Sequence, residues 1–156
     1  MIAGQHVALL NVARMVAPLD SPQLAEFVAR LDPVNAAADA APGFVWRHQD
    51  DNGNSTGVRV LDDDMLLVNL AVWESIDALA DFAYGGAHRD IMRKRRQWFE
   101  RMSEPYLVLW WIPAGHRPSV DEAVERLLHL RANGPSPEAF TFKDRYESQS
   151  LRTQST

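Results

Sequence analysis

The sequence contains no cysteine, and this absence removes disulfides, thiolate nucleophiles and sulfur ligands for metals. It also lacks a phosphate-cradling glycine loop, a dinucleotide fingerprint and a G-x-S-x-G nucleophile elbow, so nucleotide-dependent and serine-hydrolase chemistries have no foothold. The five histidines, His6, His48, His88, His116 and His129, follow no metal-ligand spacing. Asp62-Asp63-Asp64 reads as a solvated turn rather than a cation site, and no metal is expected. No apolar run approaches the length of a bilayer span. The first residues, MIAGQHVALLNVARMV, show neither a basic leader nor a small-residue cleavage site. The expectation is a cytoplasmic protein without a membrane partner.

The 156 residues are 46% hydrophobic, enough for one self-sufficient core. A single domain is expected over residues 1–147, and the polar, non-periodic stretch 148–156 reads as a disordered tail. The formal charge of −5 disfavours nucleic acid as a partner. It is unevenly spread: the chain is acidic up to Tyr84 and strongly basic in HRDIMRKRRQWFER, His88 to Arg101.

The periodicities give an order of elements. His6 to Met15 is a nearly continuous apolar run with β-branched residues, a strand covered on both faces. Ser21-Pro22 opens a helix with Leu24, Phe27, Val28 and Leu31 at helical spacing, which Pro33 should kink or restart. Pro42-Gly43 introduces a short strand from Phe44 to His48. MLLVNLAVW, Met65 to Trp73, is a second doubly covered strand. A helix capped by Ser75 runs to Tyr84 and a longer one from about Ala87 to Met102. YLVLWWI, from Tyr106, is the last main strand, Ser119-Val120-Asp121-Glu122 fits a capping box for a helix ending near Asn133, and Phe140 to Phe142 adds an edge strand.

This order predicts an α+β fold: a ferredoxin-like split βαβ antiparallel sheet with helices on one face, plus a C-terminal helix. Both alternating faces of the strands are apolar, and the simplest cover for the second is the sheet of another subunit. A dimeric α+β barrel, hence a homodimer, is expected.

Polar residues at apolar positions mark the candidate site. At about 100° per residue, Ile91, Met92, Trp98, Phe99 and Met102 share one face of the long helix. Arg95 sits at its centre, with His88 near it, while Arg89, Arg93, Lys94, Arg96 and Arg101 point outward. A guanidinium aimed at a core needs a carboxylate, carbonyls or a ligand. The two-residue period of the second strand aligns Leu67, Asn69, Ala71 and Trp73, and an amide there must find partners. Asn11 plays the same part in the first strand. An apolar gap with a few directed polar groups is how small-molecule pockets are built.

Trp73, Phe82, Tyr84, His88, the basic run Arg93 to Arg96, Trp98-Phe99, Trp110-Trp111 and Pro113-Ala114-Gly115-His116 resemble, in that order, domain-of-unknown-function family 3291. The family in turn resembles the dimeric α+β-barrel superfamily. Within it, cofactor-independent antibiotic-biosynthesis monooxygenases line their pocket with an asparagine, a tryptophan four residues on and a later helical arginine, to which Asn69, Trp73 and Arg95 are similar. Heme-degrading members use an asparagine on the first strand, a tryptophan and an axial histidine, to which Asn11, Trp73 and His88 are similar. The expected catalytic residues are therefore Asn69, Trp73, His88 and Arg95, with Asn11, Tyr84, Met92 and Phe99 binding substrate. The leading expectation is a monooxygenase-like enzyme without a cofactor, acting on an aromatic or polyketide-like small molecule. The alternatives are a heme protein with His88 axial, and a cyclase, isomerase or non-catalytic ligand-binding module.

Overall fold

The computed structural model describes residues 4–49, 60, 61, 63 and 65–146, with the side chains of Ala87, His88, Asp90 and Ile91 excepted. The expected tail 148–156 and the polar, glycine-containing segment 50–57, which reads as a surface turn or loop, lie outside the described residues. The elements are β1 (Gln5–Arg14), a 3-10 turn (Pro22–Leu24), α1 (Ala25–Ala40), β2 (Phe44–Arg47), β3 (Leu66–Trp73), α2 (Ile76–Ala83), α3 (Gly86–Trp98), β4 (Leu107–Pro113) and α4 (Val120–Asn133). The strands form one antiparallel sheet in the order β2-β3-β1-β4. The fold is the expected α+β, ferredoxin-like arrangement, and no described helix is long and apolar enough to cross a membrane.

Strand alternation sorts the core into two. Ala8, Leu10 and Val12 of β1 join Val68, Leu70 and Val72 of β3 and Val108, Trp110 and Ile112 of β4 on one face. Against them pack Ala123, Leu127 and Leu130 of α4. Val7, Leu9, Ala71, Trp73 and Leu109 line the other face, with Ala38 of α1 and Ile76 and Leu79 of α2. The α4 cover corrects an expectation: the face assigned to a second subunit is buried by the chain's own C-terminal helix, with Leu10, Leu70, Trp110 and Leu127 each 0% exposed. The apolar pattern reports that both faces are covered, not by what, and the stated reason for a homodimer falls away.

Polar contacts fix α4 in place. Ser119 Oγ accepts from the Glu122 backbone N–H at 3.0 Å, half of the expected capping box. The Glu122 carboxylate does not return to the cap. It accepts from Trp110 Nε1 at 3.1 Å and meets His116 Nε2 at 2.8 Å, joining α4 to β4.

Three boundaries differ from expectation. α1 does not restart at Pro33, which lies within it; a proline inside a helix costs about 3 kcal/mol, but Phe27, Leu31, Val34 and Ala38 form one stripe that packs on either side of it. The long helix ends at Trp98, not Met102. There the chain pairs with the end of β1: the Val16 N–H donates to Trp98 O at 2.8 Å and the Glu100 N–H to Arg14 O at 2.8 Å. Phe99 is consequently extended and Met102 packs on the α4 side of the sheet. The expected edge strand Phe140 to Phe142 is reduced to a single bridge between Leu109 and Phe140.

Candidate active site

The space between the sheet and helices α1 to α3 is a cavity of about 720 Å³, within the range of small-molecule sites. Its floor is built by strand register. Asn11 stands directly opposite Asn69, Leu9 opposite Ala71 and Val7 opposite Trp73, so the two amides share one rung of the sheet, their Cβ atoms about 5 Å apart. Trp73 lies four residues along β3, about 13 Å away.

The two asparagines differ from every other residue of the floor. Asn69 is exposed although Val68 and Leu70, its neighbours on an interior strand, are buried; its side chain faces the cavity. Asn11 Oδ1 is buried without a hydrogen-bond partner among the described residues. An unpaired buried acceptor costs about 1–3 kcal/mol, and a ligand hydroxyl or N–H would satisfy it. Asn11→Leu is expected to raise the urea midpoint by removing that cost and to weaken binding of hydroxylated ligands, as read by denaturation beside a titration.

Trp73, 2% exposed, forms the aromatic end of the cavity. Phe44 meets it edge-on, with ring centroids 5.4 Å apart, and Phe82 lies tilted over it at 5.3 Å. Gly43 sets up this contact: it has φ +84° at the entry to β2, and a Cβ there would lie 2.5 Å from Ala78 Cβ on α2. Only glycine meets both conditions.

Arg95 of α3 is half-buried and lines the cavity. Its guanidinium carbon is 5.2 Å from the centroid of the Tyr106 ring, a cation–π geometry. Among the described residues it has no carboxylate partner. Lys94, its neighbour, points away and binds Glu26 of α1 at 2.6 Å. That hydrogen bond, ahead of Arg30, holds the Glu26 carboxyl below its ordinary pKa.

The cavity thus brings together Asn11, Asn69, Trp73, Tyr84, Met92, Arg95 and Phe99. Tyr84 and Met92 stand at its exposed margin, and Phe99 packs edge-on against Phe27 with centroids 5.0 Å apart. Trp98, placed on the same face by the helical wheel, is instead buried with Met15, Leu24 and Phe27. His88 falls in the first turns of α3, and its side chain lies outside the described residues. Sequence reasoning missed Tyr106, Phe44 and Arg89 as lining residues. Tyr106 carried a signal, as the one polar-tipped ring at the start of an apolar strand. Arg89 did not, because the wheel turned it outward. No group of three metal-binding side chains occurs among the described residues.

A half-buried cation, a rung of two amides and an aromatic wall line one cavity of this α+β protein. The chain belongs to the family described as domain of unknown function (DUF3291), which it matches over residues 6–156. No curated protein matches it. Among solved structures, a protein of unknown function from Nitrosomonas europaea is 12% identical, with 76% of this chain and 99% of that one covered and a TM-score of 0.51. A conserved protein from Methanosarcina mazei Go1 is 10% identical over 67% of this chain and 90% of that one, with a TM-score of 0.50. SnoaB, a cofactor-independent oxygenase from Streptomyces nogalater, is 20% identical over 76% of this chain and 100% of that one, with a TM-score of 0.48. At these identities the likeness concerns the fold alone.

Proposed function

We propose that the chain binds an electron-rich aromatic or polyketide-like phenol in this cavity and promotes its oxidation by dioxygen without a cofactor. The observation that carries the reading is Arg95: a half-buried guanidinium in the wall of the cavity that also holds a rung of two amides, with no carboxylate among the described residues to neutralise it. A fixed cation of this kind favours the anionic form of a bound phenol, the form that gives electrons to oxygen. Trp73, with Phe44 and Phe82, supplies the surface for the ring system. Asn11 and Asn69 orient its oxygen functions, Asn11 Oδ1 accepting from a hydroxyl.

The reaction balances without a further reductant. The phenolate passes an electron to dioxygen, and the two radicals join to form a C–O bond at a ring carbon. The resulting peroxide loses water as that carbon gives up its proton. One oxygen atom stays on the ring as a quinone carbonyl, the other leaves as water, and the substrate supplies all four electrons.

Oxygen uptake by chelator-treated protein over a panel of naphthols, dihydroxynaphthalenes and anthrones tests the proposal. For a phenol with a free ring position, one dioxygen should disappear per quinone formed. Arg95→Met should lower kcat/KM by about 100-fold, the usual effect of losing a group that stabilises a developing oxyanion. Uptake equal to the protein-free control across a panel that the protein binds would reduce the chain to a ligand-binding module.

A further inference from the structure

The charge of the cavity wall runs against that of the chain. Acidic residues outnumber Lys and Arg by 21 to 16 over the whole sequence, yet the described wall contains Arg47, Arg89, Arg95 and Lys143 and neither Asp nor Glu. Arg47 is bound to Asp39 at 2.9 Å, and Arg95 is tied to the Tyr106 ring. Arg89 and Lys143 have no ion-pair partner among the described residues. Both are exposed, and both stand where the cavity meets solvent.

That margin is built by two segments. Tyr84, 65% exposed, lies against Phe142 with ring centroids 5.9 Å apart. Arg89 lies in the first turns of α3, five residues after Tyr84, its N–H donating to Gly85 O at 3.1 Å, and Lys143 follows Phe142 directly. Asp77 of α2 is engaged by Arg145 at 3.2 Å. An anionic group entering beside the Tyr84–Phe142 pair thus meets two cations. Field lines from both converge on a mouth with apolar walls.

We propose that the ligand carries a carboxylate, ionised at neutral pH, which Arg89 and Lys143 hold at the mouth while its ring system lies inward toward Trp73. The inference rests on the reading of the cavity as an aromatic-ligand site and adds the substrate class: an aromatic hydroxy acid rather than a neutral phenol. Arg89 supplies a planar fork for the carboxylate and Lys143 a mobile point charge. The inner cation, Arg95, is left for the phenol oxygen.

Calorimetric titration with 1-hydroxy-2-naphthoate and with 1-hydroxy-2-naphthamide, which has the same rings and hydroxyl but no charge, tests it. The acid should bind about tenfold or more tightly than the amide, and its advantage should shrink as salt is raised. In the Arg89→Gln/Lys143→Gln double variant the acid should fall to the affinity of the amide. The amide, unchanged, reports that the cavity is intact. Equal affinity of the two probes for the unmutated protein overturns this inference and leaves the oxidative reading standing. A preference for the acid that survives the double variant overturns the assignment to the mouth. Binding of neither probe overturns this inference, while oxygen uptake over the panel of phenols decides the oxidative reading separately.

Discussion

Arg95→Met is expected to lower the affinity for a phenolic ligand by about 10- to 100-fold, the worth of a hydrogen bond to a charged group, while shifting the unfolding free energy by no more than about 1 kcal/mol. The two halves of this expectation come from the same geometry. Cutting a buried ion pair strands the surviving charge and costs about 3–5 kcal/mol, but no described carboxylate is left stranded here. What the fold loses is a cation–π contact with Tyr106, 5.2 Å from the guanidinium, worth about 0.5–1 kcal/mol at a partly exposed site. Methionine keeps much of the packing and can lie on the same ring. Arg93, exposed on the same helix and not part of the cavity wall, provides the control: Arg93→Met should be silent in both assays. A denaturation curve beside a titration reads both quantities, and an Arg95→Met protein that is less stable but binds equally well would remove Arg95 from the site.

The cavity positions of Arg95, Asn11 and Asn69 were legible because each breaks a period that its neighbours keep. In β3 the alternation from Leu66 to Trp73 aligns Leu67, Asn69, Ala71 and Trp73 without knowledge of the fold, and β1 does the same for Asn11. The sequence could not show that the two asparagines would share a rung, since register depends on how the strands meet. Arg95 stood out against a helical period that failed three residues later. Phe99 leaves the helix because the backbone at and just beyond the end of β1 offers hydrogen bonds at Arg14 and Val16, and no proline or glycine near Trp98 announces that exit. Arg89 was misread for a related reason. The wheel describes one helix in isolation, whereas the cavity wall at Arg89 is completed by Phe142 and Lys143, more than fifty residues further along the chain.

The widest gap between pattern and structure concerns the second face of the sheet, and it yields the largest expected change in stability. Leu127, 0% exposed, packs between α4 and the sheet face that includes Leu10, Leu70 and Trp110, whereas Leu128, the next residue, is 46% exposed. Leu127→Ala leaves a void between two layers that the sheet and the Trp110–Glu122 bond hold apart. Partial collapse onto such a void still costs about 2–5 kcal/mol. Leu128→Ala should cost no more than about 0.5 kcal/mol, as for an ordinary surface change. Because natural domains keep only about 5–15 kcal/mol in all, the first variant should show a much lower urea midpoint and the second hardly any shift. The pair also decides what covers the sheet. If α4 of the same chain is the cover, the loss caused by Leu127→Ala is intramolecular, and the difference between the two midpoints will not depend on protein concentration. Were a second subunit seated on that face, dilution would lower the midpoint of the unmutated protein by mass action, and Leu127→Ala would do little more than Leu128→Ala. The cavity, on the opposite side of the sheet, should bind its ligand with unchanged affinity in both variants under native conditions, since neither leucine is among its lining residues.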